Sequence, residues 1–146
     1  MSAESTTSVI SSICIQGMTL DDVLAICSQH VSWGEPITSL KQRNWLDDTP
    51  LHTVCTWGEP IAVKILIESG AEVNVQGDSG CTPLFHALVR GNLDVIQILL
   101  EHGADPRISN DWGCSPLQSA IQTDHYVIVA QMFKHAVEHL NALKIG

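Results

Sequence analysis

A short motif returns at a fixed interval in this chain. Thr49-Pro50-Leu51, Thr82-Pro83-Leu84 and Ser115-Pro116-Leu117 each start 33 residues after the preceding copy. A period of about 20 to 50 residues is typical of stacked repeat arrays, because one such unit cannot bury its apolar face without a neighbour. The spacing therefore predicts a row of similar units rather than one irregular domain.

Each unit has the residues expected of two helices. Thr49 is a good helix N-cap, and Pro50 follows at the first helical position, where its missing N–H costs nothing. A Gly-Glu-Pro break follows at residues 58–60, and a second apolar stretch ends at Gly70, as helices often do. The next unit copies this plan, and the last continues helically to about Leu143. We predict an all-α array of about four helix pairs.

The period also predicts where the units begin and end. Residues 18–42 lack the motif, but the pentapeptide Trp33-Gly34-Glu35-Pro36-Ile37 returns as Trp57-Gly58-Glu59-Pro60-Ile61. We therefore interpret this region as a degenerate opening helix pair. The predicted boundaries are a flexible segment at 1–12 and an array at 13–146, divided into an N-terminal cap at 13–43, repeats at 44–76 and 77–109, and a C-terminal capping repeat at 110–146.

The charge balance narrows the choice of partner. Seven basic residues against 16 acidic residues give a net charge of -9, which repels nucleic acid and anionic membranes and favours a basic protein. No apolar run approaches the roughly 18 residues that span a bilayer, and the start of the chain lacks a basic signal-peptide region. We expect a cytoplasmic protein that is a monomer when free.

The cysteines do not suggest a disulfide framework. There are five, an odd number, and none forms a Cys-x-x-Cys pair. Cys81 and Cys114 occupy the same position in successive units, so we interpret them as small repeated residues that stay reduced.

Two motifs could in principle carry chemistry, and a structural role is the better interpretation of both. His135 to His139 match the His-x-x-Glu-His pattern of a zinc peptidase family, but such a site needs a third protein ligand and a cleft. His52 and Cys55 lie within one helical turn, yet Cys55 shares its repeat position with Leu88 and Ile121. We expect no enzyme activity, no cofactor and no metal.

Together these residues resemble the ankyrin repeat family. The matching segments are Thr49-Pro50-Leu51-His52, Gly80-Cys81-Thr82-Pro83-Leu84, Gly70-Ala71-Glu72-Val73-Asn74 and Gly103-Ala104-Asp105, within about residues 44–135. The resemblance implies a stack of antiparallel helix pairs with projecting hairpin fingers that bind proteins. Phe85 and Gln118 replace the family's histidine, Asp47 replaces the finger glycine, and Asp124 replaces a helix-ending glycine. We therefore expect altered hydrogen bonding in two repeats and a distorted first finger.

The resemblance also implies which positions contact a partner, namely those beside the finger glycine and at the end of each first helix. In this chain they are Trp45, Leu46, Asp48, Thr56 and Trp57, then Asp78, Ser79, Cys81, Val89 and Arg90, then Asp111, Trp112, Cys114, Gln122 and Thr123. Three of the four tryptophans fall in this set, interleaved with carboxylates. Tryptophan anchors with acidic neighbours suit a basic partner, although Trp45 and Trp112 packing against adjacent fingers is the simpler alternative.

We expect no second domain beside the array, and a lone binding module can act by blocking. The composition therefore favours an inhibitor or immunity protein that binds and neutralises a basic toxin or effector through its concave face and fingers. The alternatives are a protein like the ankyrin inhibitors of cyclin-dependent kinases, or an assembly scaffold that joins two partners.

Overall fold

The computed structural model describes residues 17–144 of the chain, and this part contains α-helices and a single 3-10 turn but no strand. The all-α prediction is confirmed. The predicted flexible segment at 1–12 lies outside the described residues. The helices are α1 at Leu20–Ser28, α2 at Pro50–Trp57, α3 at Pro60–Glu68, α4 at Pro83–Arg90, α5 at Leu93–Glu101, α6 at Pro116–Gln122 and α7 at Tyr126–Lys144.

The repeated motif starts a first helix each time. Thr49, Thr82 and Ser115 have extended backbones, and the proline that follows is the first helical residue. The first helices of two repeats end at Gly58 and Gly91, which adopt φ angles of 73° and 68°. These angles are in the left-handed region that a side chain disfavours, so glycine makes the short link to the second helix possible.

The helix pairs stack in two rows. First helices pack on first helices in the order α2, α4, α6, and second helices pack in the order α3, α5, α7, while α1 packs on α2 and α3. The core therefore runs along the stack as repeated columns. It contains the buried residues Val63, Leu66, Ile96, Leu99 and Met132.

The opening unit differs from the expectation. Within residues 18–42 only α1 is helical, so this range does not form a helix pair. Trp33 is buried and its indole Nε1 donates to Thr53 Oγ1 at 3.2 Å, whereas Trp57 is the half-buried last residue of α2. The same pentapeptide thus takes two structures, because its neighbours in space differ.

The last helix is unlike the other second helices. α7 has 19 residues, whereas α3 and α5 have 9 each, so the predicted continuation to about Leu143 is confirmed. Over the chain from 17 to 144, no helix is both long and apolar enough to cross a membrane.

Candidate protein-binding surface

Three hairpin turns, which we call fingers 1 to 3, connect each second helix or loop to the next first helix. Each is closed by the same pair of backbone groups, one N–H donating to the carbonyl four residues later. These bonds are Asn44 N to Asp48 O at 2.9 Å, Gly77 N to Cys81 O at 2.8 Å and Asn110 N to Cys114 O at 2.8 Å. The array therefore presents three turns of matching geometry.

Finger 1 is not distorted, so that expectation was wrong. Asp47 stands where the other fingers have Gly80 and Gly113, yet its φ of 69° matches their 71° and 76°. Aspartate is among the few residues that tolerate this conformation. Arg43 stabilises it further, since its guanidinium lies 3.3 Å from the Asp47 carboxylate and donates to the Asp47 carbonyl at 2.8 Å.

Asparagine side chains hold the outer fingers rigid, a feature that sequence reasoning missed. Asn44 Oδ1 accepts from the N–H groups of Leu46 and Asp48 at 2.9 and 3.0 Å. Asn110 Oδ1 accepts in the same way from Trp112 and Cys114 at 3.1 and 3.0 Å. The signal was available, because two asparagines placed two repeats apart at a turn indicate this kind of side-chain capping.

The fingers are also bonded to one another. Arg43 Nη1 donates to the Gln76 carbonyl at 2.8 Å, and Gln76 Nε2 donates to the Ser109 carbonyl at 3.1 Å. Asp111 N–H donates to the Ser79 carbonyl at 3.0 Å. Fixed spacing between fingers means that a partner can bind without first ordering them, which lowers the entropy cost of association.

Most of the residues at the predicted contact positions are accessible. Trp45 and Trp112 are 72% and 75% exposed, at fingers 1 and 3. Leu46, Trp57, Ser79, Cys81 and Cys114 are half-buried. We call the exposed members together the finger surface, which consists of Trp45, Thr56, Asp78, Val89, Arg90, Asp111, Trp112, Gln122 and Thr123.

Asp48 does not belong to this surface, which corrects the expectation for that residue. It is only 7% exposed, and its Oδ1 accepts from the Asp78 N–H at 2.9 Å. Its carboxylate therefore connects finger 1 to finger 2 instead of facing a partner. Burial raises the pKa of Asp48, and the bond from Asp78 opposes that shift.

Under the finger surface, His86 links finger 1 to the end of α2. Its Nε2 lies 3.6 Å from Asp48 Oδ1, and its Nδ1 lies 2.8 Å from Thr56 Oγ1. Burial lowers the pKa of His86, while the neighbouring Asp48 carboxylate opposes that shift. The His86 side chain therefore contacts both finger 1 and the end of α2, which are the two kinds of predicted contact position, so these two segments are neighbours in space.

His52 completes a buried inter-repeat cluster. Its Nδ1 accepts from the Thr49 N–H at 3.1 Å, so its Nε2 carries the proton and donates to the Cys81 carbonyl at 3.1 Å. The His52 and His86 rings meet edge to face with centroids 5.1 Å apart. His52 therefore joins the first repeat to the second as a neutral side chain, and burial lowers its pKa to about 3.

The other two repeats replace this histidine in different ways. In the third, Gln118 Oε1 accepts from the Ser115 N–H at 2.9 Å, so the helix cap is retained. In the second, Phe85 has no polar atom, and Thr82 Oγ1 is buried without a hydrogen-bond partner. The helix-cap hydrogen bond is therefore lost in the second repeat and kept in the third.

The cluster contains residue types that can bind a metal ion. Asp48, His52 and His86 each have a potential ligand atom, and these atoms lie within 4.8 Å of one another. However, both ring nitrogens of His52 are already hydrogen-bonded to Thr49 and Cys81. Two ligands remain, fewer than a zinc site needs. We therefore assign the cluster a structural role.

Gly77 provides the space for this cluster, and a side chain there should be costly. A Cβ at Gly77 would collide with Asp48 Oδ1 and would lie 2.8 Å from His52 Nε2. We expect Gly77→Ala to lower the free energy of unfolding by about 1 to 3 kcal/mol. Urea denaturation would measure this. In an Asp48→Ala background the same change should cost less, and simple additivity of the two changes would contradict the explanation.

The two motifs considered for catalysis or metal binding are His52 with Cys55, and His135 to His139. Cys55 is fully buried, and burial raises the pKa of its thiol, which disfavours the nucleophilic thiolate. His135 Nδ1 lies 3.6 Å from the Glu138 carboxylate on the same helix. The side chain of His139 lies outside the described residues.

Comparison with known proteins agrees with this geometry. A family model described as ankyrin repeats (3 copies) matches residues 24–110 and 51–142. A similar curated protein is ADP-ribosylation factor GTPase-activating protein AGD2 of Arabidopsis thaliana, 38% identical over 55 residues. That match covers 37% of this chain and 7% of the relative, so it does not show that this chain has the activity in the relative's name. The family match spans most of the chain, which therefore belongs to the ankyrin repeat family of protein-protein interaction modules.

Proposed function

We propose that this chain is a non-enzymatic binding protein that recognises a basic protein through the finger surface. More specifically, we propose that it is an inhibitor or immunity protein that neutralises a basic toxin or effector by covering it. A cytoplasmic location fits the four described cysteines, which are all unpaired thiols, since oxidising compartments favour disulfides.

The exposure of Trp45 and Trp112 is the observation that carries the proposal. An exposed tryptophan keeps a large apolar area in contact with water, and that area becomes favourable when a partner covers it. Tryptophan is also enriched among the residues that dominate binding energy. Packing against an adjacent finger is the simpler alternative, but an extensive contact of that kind would bury far more of each residue than is buried here.

Charge supports a basic partner. Asp78 and Asp111 are exposed at fingers 2 and 3, while Arg90 is the one basic member of the finger surface. With the net charge of -9, these carboxylates would attract a cationic protein over a distance and speed its association.

The test begins by capturing a partner from cells that express the chain, with wild type and Trp45→Ala/Trp112→Ala as parallel baits. The captured protein is then purified and its affinity measured. We expect each single change, Trp45→Ala or Trp112→Ala, to weaken binding about tenfold or more, which corresponds to about 1.4 kcal/mol or more. Val127→Ala is the control, because Val127 is an exposed apolar residue on α7, outside the finger surface; it should leave affinity unchanged.

Ionic strength separates the electrostatic part of the proposal from the rest. Affinity should fall between low and physiological salt, because exposed charges are screened. A partner that is acidic, or an affinity that ignores salt, would contradict a basic target. Loss of the partner's own activity in the complex would support inhibition, whereas an active partner bound together with a second protein would indicate a scaffold instead.

A further inference from the structure

A turn that precedes finger 1 presents an exposed valine. Residues 30–33 form this turn, which the Trp33 N–H closes by donating to the His30 carbonyl at 3.0 Å. Val31 lies at its tip and is 84% exposed, whereas Ser32 and Trp33 are buried. We call residues 30–33 the leading turn. Its tip therefore faces water while its base belongs to the core.

The leading turn lies beside finger 1 as each finger lies beside the next. The second residue of every finger donates its backbone N–H to the turn before it. These bonds are Trp45 N to Ser32 O at 3.4 Å, Asp78 N to Asp48 Oδ1 at 2.9 Å and Asp111 N to Ser79 O at 3.0 Å. None of the contact positions that the family resemblance implies falls in residues 30–33. The leading turn therefore extends the row of three fingers by one.

Hydrogen bonds fix the leading turn against finger 1. Asn44, whose Oδ1 caps finger 1, donates through Nδ2 to Ser32 Oγ at 3.0 Å. His30 Nδ1 lies 2.7 Å from the same hydroxyl, and the Trp33 indole donates to a side chain of α2 at 3.2 Å. Val31 is thus held on a rigid base. A partner that covers it need not first order the turn, which lowers the entropy cost of association.

The leading turn is continuous with the predicted contact positions on two sides. The backbone of Trp45, a member of the finger surface, is bonded to it. On the other side the His30 ring lies against the ring of Trp57 at the end of α2, with centroids 5.8 Å apart. Because His30 and Ser32 flank Val31 in the chain, the exposed valine lies within reach of a partner that covers either position.

Apolar and acidic residues occupy opposite ends of this row. The exposed carboxylates Asp78 and Asp111 are at fingers 2 and 3. The Asp47 carboxylate of finger 1 lies 3.3 Å from the Arg43 guanidinium, so the charges at that end offset each other. The exposed residues there are instead the valine of the leading turn and the tryptophan of finger 1. A partner that is basic opposite fingers 2 and 3 therefore meets an apolar surface at the other end.

We propose that Val31 and Trp45 together receive an apolar side chain of the basic protein that binds the finger surface. A single exposed apolar residue is ordinary, but these two adjoin on a rigid base, and covering both removes apolar area from water. The inference rests on the proposed function. It adds a contact residue outside the family's positions and an orientation, in which the partner's apolar residue lies at the leading turn and its basic residues lie at fingers 2 and 3.

The affinity of Val31→Thr for the purified partner tests this inference. Threonine has nearly the shape of valine and no charge, but its hydroxyl loses water when it is covered, so we expect binding to weaken about fivefold or more. Val31→Ile keeps an apolar, β-branched side chain and should bind like wild type. Val127→Thr is the matched control, because Val127 is also exposed but lies on α7; it should leave affinity unchanged. Urea denaturation should show all three variants to be as stable as wild type, since both valines are exposed.

Methyl NMR of the wild-type chain tests the same contact without a substitution. When the partner is added, the Val31 methyl signals should shift and the Val127 methyl signals should not. Unshifted Val31 methyl signals, or full affinity of Val31→Thr where Trp45→Ala loses affinity, would overturn the inference and leave the proposed function standing. Full affinity of Val31→Thr, Trp45→Ala and Trp112→Ala alike, or a bait that captures no protein, would overturn both.

Discussion

Leu99→Ala is expected to lower the free energy of unfolding by about 2 to 5 kcal/mol. Leu99 has no exposed surface, and it lies on α5 between the second helices α3 and α7. Truncation leaves a cavity that the backbone on either side cannot easily close, because each helix is held by its own repeat. Leu66, one repeat earlier, is equally buried, so Leu66→Ala should cost a similar amount. Urea denaturation followed by circular dichroism measures both.

Leu93→Ala is the matched control for this prediction. It removes the same atoms from the same helix α5, but Leu93 is exposed. We expect a change within about 0.5 kcal/mol, as for other surface positions. If Leu93→Ala destabilised the protein as much as Leu99→Ala, burial in the stacked core would not be the source of the stability.

Acidification is expected to destabilise the protein through His52. In the folded state its pKa is lowered to about 3, chiefly by burial, and nearby His86 and Arg43 act in the same direction. An unfolded histidine titrates near 6.5, so the unfolded state binds more protons between these values. Stability is therefore complete above about pH 7 and falls by about 1.4 kcal/mol for each pH unit below 6.5. Between pH 7 and pH 5 the loss is about 2 kcal/mol.

The neighbours of His52 modify this dependence in known directions. Burial lowers the pKa of His86, so its titration adds to the loss of stability on acidification. Burial raises the pKa of Asp48, so its folded form takes up a proton more readily and offsets part of the loss at the acidic end.

His52→Gln separates this effect from general acid sensitivity. Glutamine already occupies the equivalent position in the third repeat, where Gln118 caps α6. The variant should fold and keep its cap, but the decline in stability between pH 7 and pH 5 should shrink by about 2 kcal/mol. Denaturation curves at several pH values measure this. An unchanged pH dependence would show that His52 is not the buried titrating group.

The local parts of this structure could be predicted from the sequence. Thr82-Pro83-Leu84 and its counterparts specify helix starts through residues that lie within one turn of each other, and Gly91 ends α4 by its own conformation. Such signals need no distant neighbours, which is why the helix starts and the ankyrin fold were predicted correctly.

The errors arose where a residue depends on a neighbouring repeat. Asp48 was expected at the surface, but Gly77 of the next finger leaves room for its carboxylate to turn inward. Trp33 and Trp57 share a pentapeptide, yet only Trp33 donates to Thr53 in a buried contact. These properties are set by tertiary contacts that a single repeat does not encode.

The central claim, that the finger surface binds a protein, is tested most directly by hydrogen exchange on the complex with the captured partner. We predict slower exchange at finger 1, finger 2 and finger 3 and at the ends of α2, α4 and α6, with α7 unchanged. Protection confined to α7, or to the second helices α3 and α5, would contradict it.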